Sequence, residues 1–225
     1  MNVMSMSLTA ADILNAQAHV GTLKNEAHPK TKEYRAWVVN DIVVIDPEKL
    51  LIQIENAHKK IEQAKKDGKS ILVVCEKKMY AEELATLCEK NNISYLNYKV
   101  PGWFLTNFDT LKKRIESMNT MSSFIDTEDF RALTKKEQLV YKRKLSRIMK
   151  IYKWVKNLTS RPDLVVVVDG SMLPNFISEL LRKKDIDNVI ITGTDFNKRR
   201  NHDNLVFANM SGYKSIDFVL KNILS

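Results

Sequence analysis

Six glycines in 225 residues are too few, and too scattered, to build the turns that cradle a nucleotide. No Gly-x-Gly-x-x-Gly occurs, which excludes the dinucleotide turn, where glycine allows tight curvature and close backbone approach to a pyrophosphate. Gly68, Lys69 and Ser70 match the end of a phosphate loop, but Gln63 stands where that loop needs its first glycine. The segment also reads helix, loop, strand, whereas amides at a helix start face phosphates only in the order strand, loop, helix. The two cysteines, Cys75 and Cys88, give neither a disulfide framework nor a metal-type pair, and both are expected as buried thiols. Histidines at 19, 28, 58 and 202 lack metal-ligand spacing, so no metal ion and no cofactor is expected. No apolar run approaches the roughly 20 residues that cross a bilayer. The start, MNVMSMSLTAADIL, has neither the charged start and apolar core of an export signal nor an arginine-rich transit pattern. A cytosolic or organelle-internal protein is the expectation.

What is present in excess is positive charge, and it is concentrated. The net charge is +9, and eleven of the 36 Lys and Arg fall between Arg131 and Arg161 against one acid, Glu137. The rest of the chain, with 25 basic and 26 acidic residues, is nearly neutral. Charge gathered on one element makes a positive field suited to a polyanion, whereas an even spread would serve only solubility.

Helical periodicity near 8–18, 47–66, 79–91, 106–122, 134–157, 174–184 and 214–223 alternates with β-rich runs at 37–45, 70–75, 93–100, 164–168, 188–192 and 205–208. Strands separated by helices predict an α/β fold with a mainly parallel sheet flanked by helices. Between about 106 and 160 two helical stretches follow each other without a strand. Phe108, Leu111, Ile115 and Met118 repeat at three and four residues, as do Tyr141, Leu145, Ile148, Tyr152 and Val155. That seam predicts an α-helical coiled-coil hairpin (106–160) inserted into an α/β domain (1–105 and 161–225), with the basic excess on the outward face of its second helix.

One enzyme-like group stands out. Asp169 ends the run LVVVV, where many parallel sheets place a catalytic or metal-binding carboxylate. No partner for it is identifiable, and the simpler expectation is turn chemistry: the carboxylate accepts backbone amides while Gly170 supplies free backbone angles. On that reading Asp169→Asn costs about 0.5–2 kcal/mol. A small-molecule-binding α/β enzyme using Asp169 stays open as the alternative on fold alone.

The order of several segments resembles the small-subunit ribosomal protein S2 family. These are the opening helix into His19-x-Gly21, the basic loop from His28 to Lys32, IDPEKLL, ILVVCEKKMYAEEL and KVPGWFLTNFDTLKKRI. LTKKEQLVYKRKLSRI, RPDLVVVVDGSMLPNFISEL, VIITGTDFN and SGYKSIDFVLKNIL follow in the same order. The family's aromatic-leucine-glycine-glycine reads Val100, Pro101, Gly102 and Trp103, so the backbone freedom of the second glycine is lost, and KNLTSRPD replaces a glycine-rich turn. The resemblance implies a non-enzymatic component of the small ribosomal subunit, bacterial or organellar. It would bind small-subunit rRNA at the junction of head and body, beside neighbouring ribosomal proteins that include the large mRNA-binding one. Phosphate contacts are then expected at Lys24, Lys30, Lys32 and Arg35 of the first loop, at Lys142, Lys144 and Arg147 of the hairpin, and at Lys198, Arg199 and Arg200. His28 and Trp103 are candidates to stack on splayed bases, with ordinary packing as the alternative for each. An RNA-binding protein working outside the ribosome shares every charge argument.

Overall fold

The computed structural model describes residues 8–155, 158, 160–199 and 204–224. In chain order the elements are α1 (Ala10–Asn15), β1 (Val20–Leu23), β2 (Arg35–Val39), β3 (Ile42–Ile45), α2 (Pro47–Lys66), β4 (Ile71–Cys75), α3 (Ala81–Lys90) and β5 (Ser94–Leu96). They continue with α4 (Phe108–Phe124), α5 (Glu128–Ala132), α6 (Lys135–Tyr152), β6 (Leu164–Val168), α7 (Pro174–Arg182), β7 (Asp187–Thr192), β8 (Leu205–Phe207) and α8 (Tyr213–Leu224). A five-stranded parallel sheet in the order β5-β4-β6-β7-β8 forms the core. Every residue of β4 (ILVVC) and β6 (LVVVV) is buried, which requires cover on both faces of the sheet and explains runs without alternation. Branched side chains, stiff at χ1, suit such positions.

A second, antiparallel sheet in the order β1-β3-β2 lies outside the expectation from periodicity. The run 37–45, read as one strand, is a hairpin broken at Asn40 and Asp41, whose φ values are 48° and 61°. Asn and Asp tolerate the left-handed region, and two such residues in succession give the turn whose twist matches the flanking strands. β1 escaped notice because it is only four residues long and Gly21 weakens its strand signal. The run 93–100 shortens to Ser94–Leu96, the part that pairs with β4.

Local chemistry sets the ends of the elements. Asp46 caps α2 by accepting from the Glu48 and Lys49 amides at 3.1 and 3.5 Å, with Pro47 at the first helical position. Gly68, at φ +67°, stops that helix, and the Lys69 amide turns back to the Ala64 carbonyl at 2.9 Å. Ser70 and Asp163 exchange bonds at the entrances to β4 and β6: the Ser70 amide donates to Asp163 Oδ2 at 2.8 Å, and the Asp163 amide to Ser70 Oγ at 3.1 Å. Gly68 to Ser70 is therefore a helix stop followed by a register lock. Between β5 and β6 the chain leaves the sheet, and α4 packs on α6 with Leu111, Ile115, Met118 and Leu145 buried. α5 turns the chain between them, and its buried Phe130 meets Phe124 at 5.9 Å and Tyr141 at 5.6 Å.

Thr194, fully buried after β7, joins the two sheets. Its Oγ1 accepts from the Thr22 amide at 2.9 Å, and its carbonyl accepts from the His28 amide and the Thr31 hydroxyl, each at 2.9 Å. Only glycine fits beside it at position 21, where a Cβ would stand 2.7 Å from the Val43 carbonyl oxygen and 2.9 Å from Thr194 Oγ1. Gly21→Ala should therefore lower stability by about 1–3 kcal/mol, the usual cost of overpacking. In a chain of this size that is a drop of roughly 2–4 °C in Tm per kcal/mol, read by thermal unfolding. An unchanged Tm would show that the β1 junction yields freely.

Candidate nucleic-acid interface

α6 starts at a capping box: Thr134 Oγ1 accepts from the Glu137 amide at 3.4 Å, and Glu137 Oε2 accepts from the Thr134 amide at 2.9 Å. Tyr141, Leu145, Ile148 and Tyr152 turn inward. Each residue rotates the helix by about 100°, so Lys136, Arg143, Arg147 and Lys150 line up opposite Leu145 in one stripe roughly 21 Å long. All four are exposed, and none has an acid within ion-pair distance among the described residues. Arg147 thus belongs to the stripe, while Lys144 lies on its flank and Lys142 nearer the buried seam, 5.8 Å above the Phe130 ring. Sequence reasoning passed over Lys136, Arg143 and Lys150. Their seven-residue spacing was the available signal.

The first loop is a folded platform. A short 3₁₀ helix, Pro29–Tyr34, begins at His28, whose Nδ1 accepts from the Lys30 amide at 3.2 Å. Arg35 donates from Nε to Thr31 Oγ1 at 3.1 Å and from its terminal nitrogen to the His28 carbonyl, so its guanidinium is occupied within the loop, and burial lowers its pKa. Residues far apart in sequence meet here: Lys30 Nζ donates to Asn197 Oδ1 at 3.2 Å, and Lys198 bonds the Glu33 carboxylate and the Tyr34 hydroxyl. Lys24 and Lys32 are exposed without a side-chain partner among the described residues. Arg199 has interactions of its own, and Arg200 lies outside the described residues. On the loop before α4, Trp103 is 61% exposed with φ at +58°, beside a cleft of 560 Å³ lined also by Met172, Pro174 and Phe176.

The carboxyl ends of the strands correct the expectation for Asp169. β4 neighbours β5 on one side and β6 on the other, so the crevice between β4 and β6 is the switch point where open α/β sheets bind ligands. Lys77 and Asp169 fill it with an ion pair of 2.7 Å, their side chains 15% and 8% exposed. Asp169 makes no side-chain capping bond to a backbone amide. It takes the left-handed conformation itself, at φ +62°, so the free backbone angles assigned to Gly170 belong one residue earlier. Gly170 supplies room, since a Cβ there would stand 2.9 Å from Ile190 Cγ2 and 3.0 Å from Phe196 Cε2. The remaining crevice, 290 Å³, is at the lower edge of the roughly 300–1,000 Å³ of small-molecule pockets. Burial pushes the Cys75 thiol up to about 11 and the Cys88 thiol up to about 12, so neither is a thiolate nucleophile at neutral pH.

A family model described as ribosomal protein S2 matches residues 13–225. The chain belongs to the ribosomal protein S2 family. The small ribosomal subunit protein uS2 of Helicobacter hepaticus is 31% identical over 175 residues, covering 78% of this chain and 66% of that protein. That of Wolinella succinogenes is 30% identical over 175 residues, 78% of this chain and 65% of its own length, and that of Helicobacter acinonychis 31% over 162 residues. The chain spans just under two thirds of the length of the curated relatives it matches. For a ribosomal protein S2 chain the resemblance places a glycine where Trp103 stands, and the left-handed φ observed there is the conformation glycine favours.

Two expectations follow for stability. Lys77→Met strands the buried Asp169 carboxylate and should cost about 3–5 kcal/mol, and Asp169→Asn strands the lysine at a cost of the same order, well above that of turn chemistry. Combining the two should restore much of the loss, so a double-mutant cycle in denaturant that gives additive losses would rule out the pair as the dominant contact. Trp103→Gly relieves the left-handed strain and should raise stability by about 0.5–1 kcal/mol, since part of the gain is offset by the freedom glycine has when unfolded. A lower Tm would mean that packing of the ring outweighs the strain.

Proposed function

We propose that this protein is a structural component of the small ribosomal subunit that binds small-subunit rRNA at the junction of head and body and supports translation without catalysis. The stripe of Lys136, Arg143, Arg147 and Lys150, none of them with an acid within ion-pair distance among the described residues, carries this reading. Phosphates dominate the affinity of proteins for RNA, and folded RNA is recognised by shape and backbone more than by base edges, which is what a row of solvent-facing cations on a stiff helix offers. In this reading α4 to α6 form a helical hairpin (106–160) inserted into the α/β body (1–105 and 161–225). Lys24, Lys30 and Lys32 add contacts on a loop held rigid by Arg35, Thr194 and Lys198, and Trp103 presents a ring for stacking. The names of the relatives support residence in a small ribosomal subunit. Neighbouring ribosomal proteins, the large mRNA-binding one among them, complete the set of partners. The enzyme alternative loses its main support because the Asp169 carboxylate is neutralised by Lys77.

Tagged protein should sediment with the small subunit in lysate at low salt and dissociate progressively as salt rises. Sedimentation as free protein at low salt would favour an RNA-binding role outside the ribosome. Replacing Lys136, Arg143, Arg147 and Lys150 by glutamine should flatten the log–log salt dependence of rRNA binding by about 3, at roughly 0.7–0.9 per lost phosphate contact. Glutamine is a fair helix former, so α6 should persist by circular dichroism. An unchanged slope would move the phosphate contacts off this face.

A further inference from the structure

Between α6 and the segment that follows β5 lies a groove of 570 Å³ on the side of the helix away from the centre of the outward stripe. Its floor is apolar, with Leu145 and Met149. Its walls carry two aromatic rings. Tyr98 is 44% exposed, and the half-buried Trp154 is fixed by stacking on Tyr95 at 5.1 Å and 21°. Three lysines surround them: Lys150 Nζ stands 4.2 Å from the Tyr98 ring centroid, Lys153 Nζ 4.2 Å from that of Trp154, and Lys142 lines the same groove. No acid lines it. Asn97 donates its side-chain amide to the Ala81 carbonyl at 2.9 Å, and its side-chain oxygen has no partner among the described residues.

Flat aromatic surface next to ammonium groups selects an occupant that is flat on one part and anionic on another. An unpaired nucleotide is such a molecule: every base has a π-face for stacking, and its phosphate follows the cations. A duplex hides its base faces, and an acidic peptide would satisfy the lysines while leaving the rings without a matching surface. The lysines rest on the rings through contacts that are weak at exposed sites, so an arriving phosphate draws them off without disturbing the fold. We propose that this groove receives an unpaired nucleotide of single-stranded RNA, with its base on Tyr98 and its phosphate between Lys150 and Lys153. The proposal rests on the RNA-binding reading of α6, and adds to it a strand-selective site that shares Lys150 with the edge of the outward stripe and otherwise faces another side of the helix.

The full chain carrying Trp37→Phe and Trp103→Phe leaves Trp154 as the single tryptophan. Its fluorescence, with calorimetry, is followed on addition of a single-stranded RNA heptamer, of a blunt RNA duplex, and of a glutamate-rich peptide. The heptamer is expected to quench Trp154. Tyr98→Ala and Lys150→Gln together are expected to reduce the ratio of single-strand to duplex affinity by about tenfold, within the range of one lost base–aromatic stack. A ratio that does not change, while Arg143→Gln with Arg147→Gln still weakens binding of both RNAs, would overturn the groove and leave the RNA-binding reading standing. Absence of binding to either RNA at low salt would overturn both. Saturable binding of the peptide that quenches Trp154 and is lost in the Tyr98→Ala, Lys150→Gln variant, with no quenching by the heptamer, would reassign the groove to a protein partner.

Discussion

The complete burial of β4 and β6 is the constraint on which the rest of the structure depends. Two adjacent parallel strands with no exposed residue need cover on both faces, and their backbones pair with each other and with β5 and β7. Polar side chains can then appear only at the strand ends. At the amino ends Ser70 and Asp163 lock the register. At the carboxyl ends Lys77 and Asp169 occupy the crevice that other sheets of this kind open to a ligand. An isolated carboxylate in that position would be costly enough to shift toward its neutral form or to recruit a metal. Pairing it with a lysine two residues past the end of the neighbouring strand removes the reason for either.

The same constraint accounts for where the positive charge lies. The body is close to electrically neutral, and the excess sits on the excursion between β5 and β6. Four cations in a row on α6 would repel one another, and inside the body they would also lose hydration. On a solvent-facing helix the second cost disappears, and the aromatic cluster of Phe124, Phe130 and Tyr141 anchors the element from its inner side. Burial of the inner seam thus fixes the direction in which the outer stripe faces.

Much of this was legible in the sequence because it depends on local period. The runs at 70–75, 164–168 and 188–192 read as interior strands, and the seam of Phe108, Leu111, Ile115 and Met118 as one face of a helix. What escaped depended on contacts across long separations. Lys77 is an unremarkable lysine in a charged stretch until β4 and β6 are paired, and Thr194 is one more threonine until Thr22 and His28 are brought to it. The Asn40–Asp41 turn was a local signal, overlooked because valines on both sides made one long apolar run. Gly170 was misread for a different reason: sequence shows that glycine is needed but not whether for its backbone angles or for the missing Cβ.

Positive residues in this chain divide into two physical kinds, and counting charges does not separate them. Lys77, Arg35 and Lys198 are partly or largely buried and have acceptors within the fold. Their charge is answered locally, so what they contribute is geometry: a closed strand-end crevice and a first loop held against the turn after β7. Lys24, Lys32, Lys136, Arg143 and Arg147 are exposed and have no such acceptor among the described residues. The field met by an approaching polyanion comes from this second group, and it is screened within about 8 Å at physiological salt. Attraction at that range rewards cations already arranged in the right shape. The buried cations therefore serve the exposed ones, because a loop fixed by Arg35 and Lys198 presents Lys30 and Lys32 without the entropy loss of ordering a flexible segment on contact.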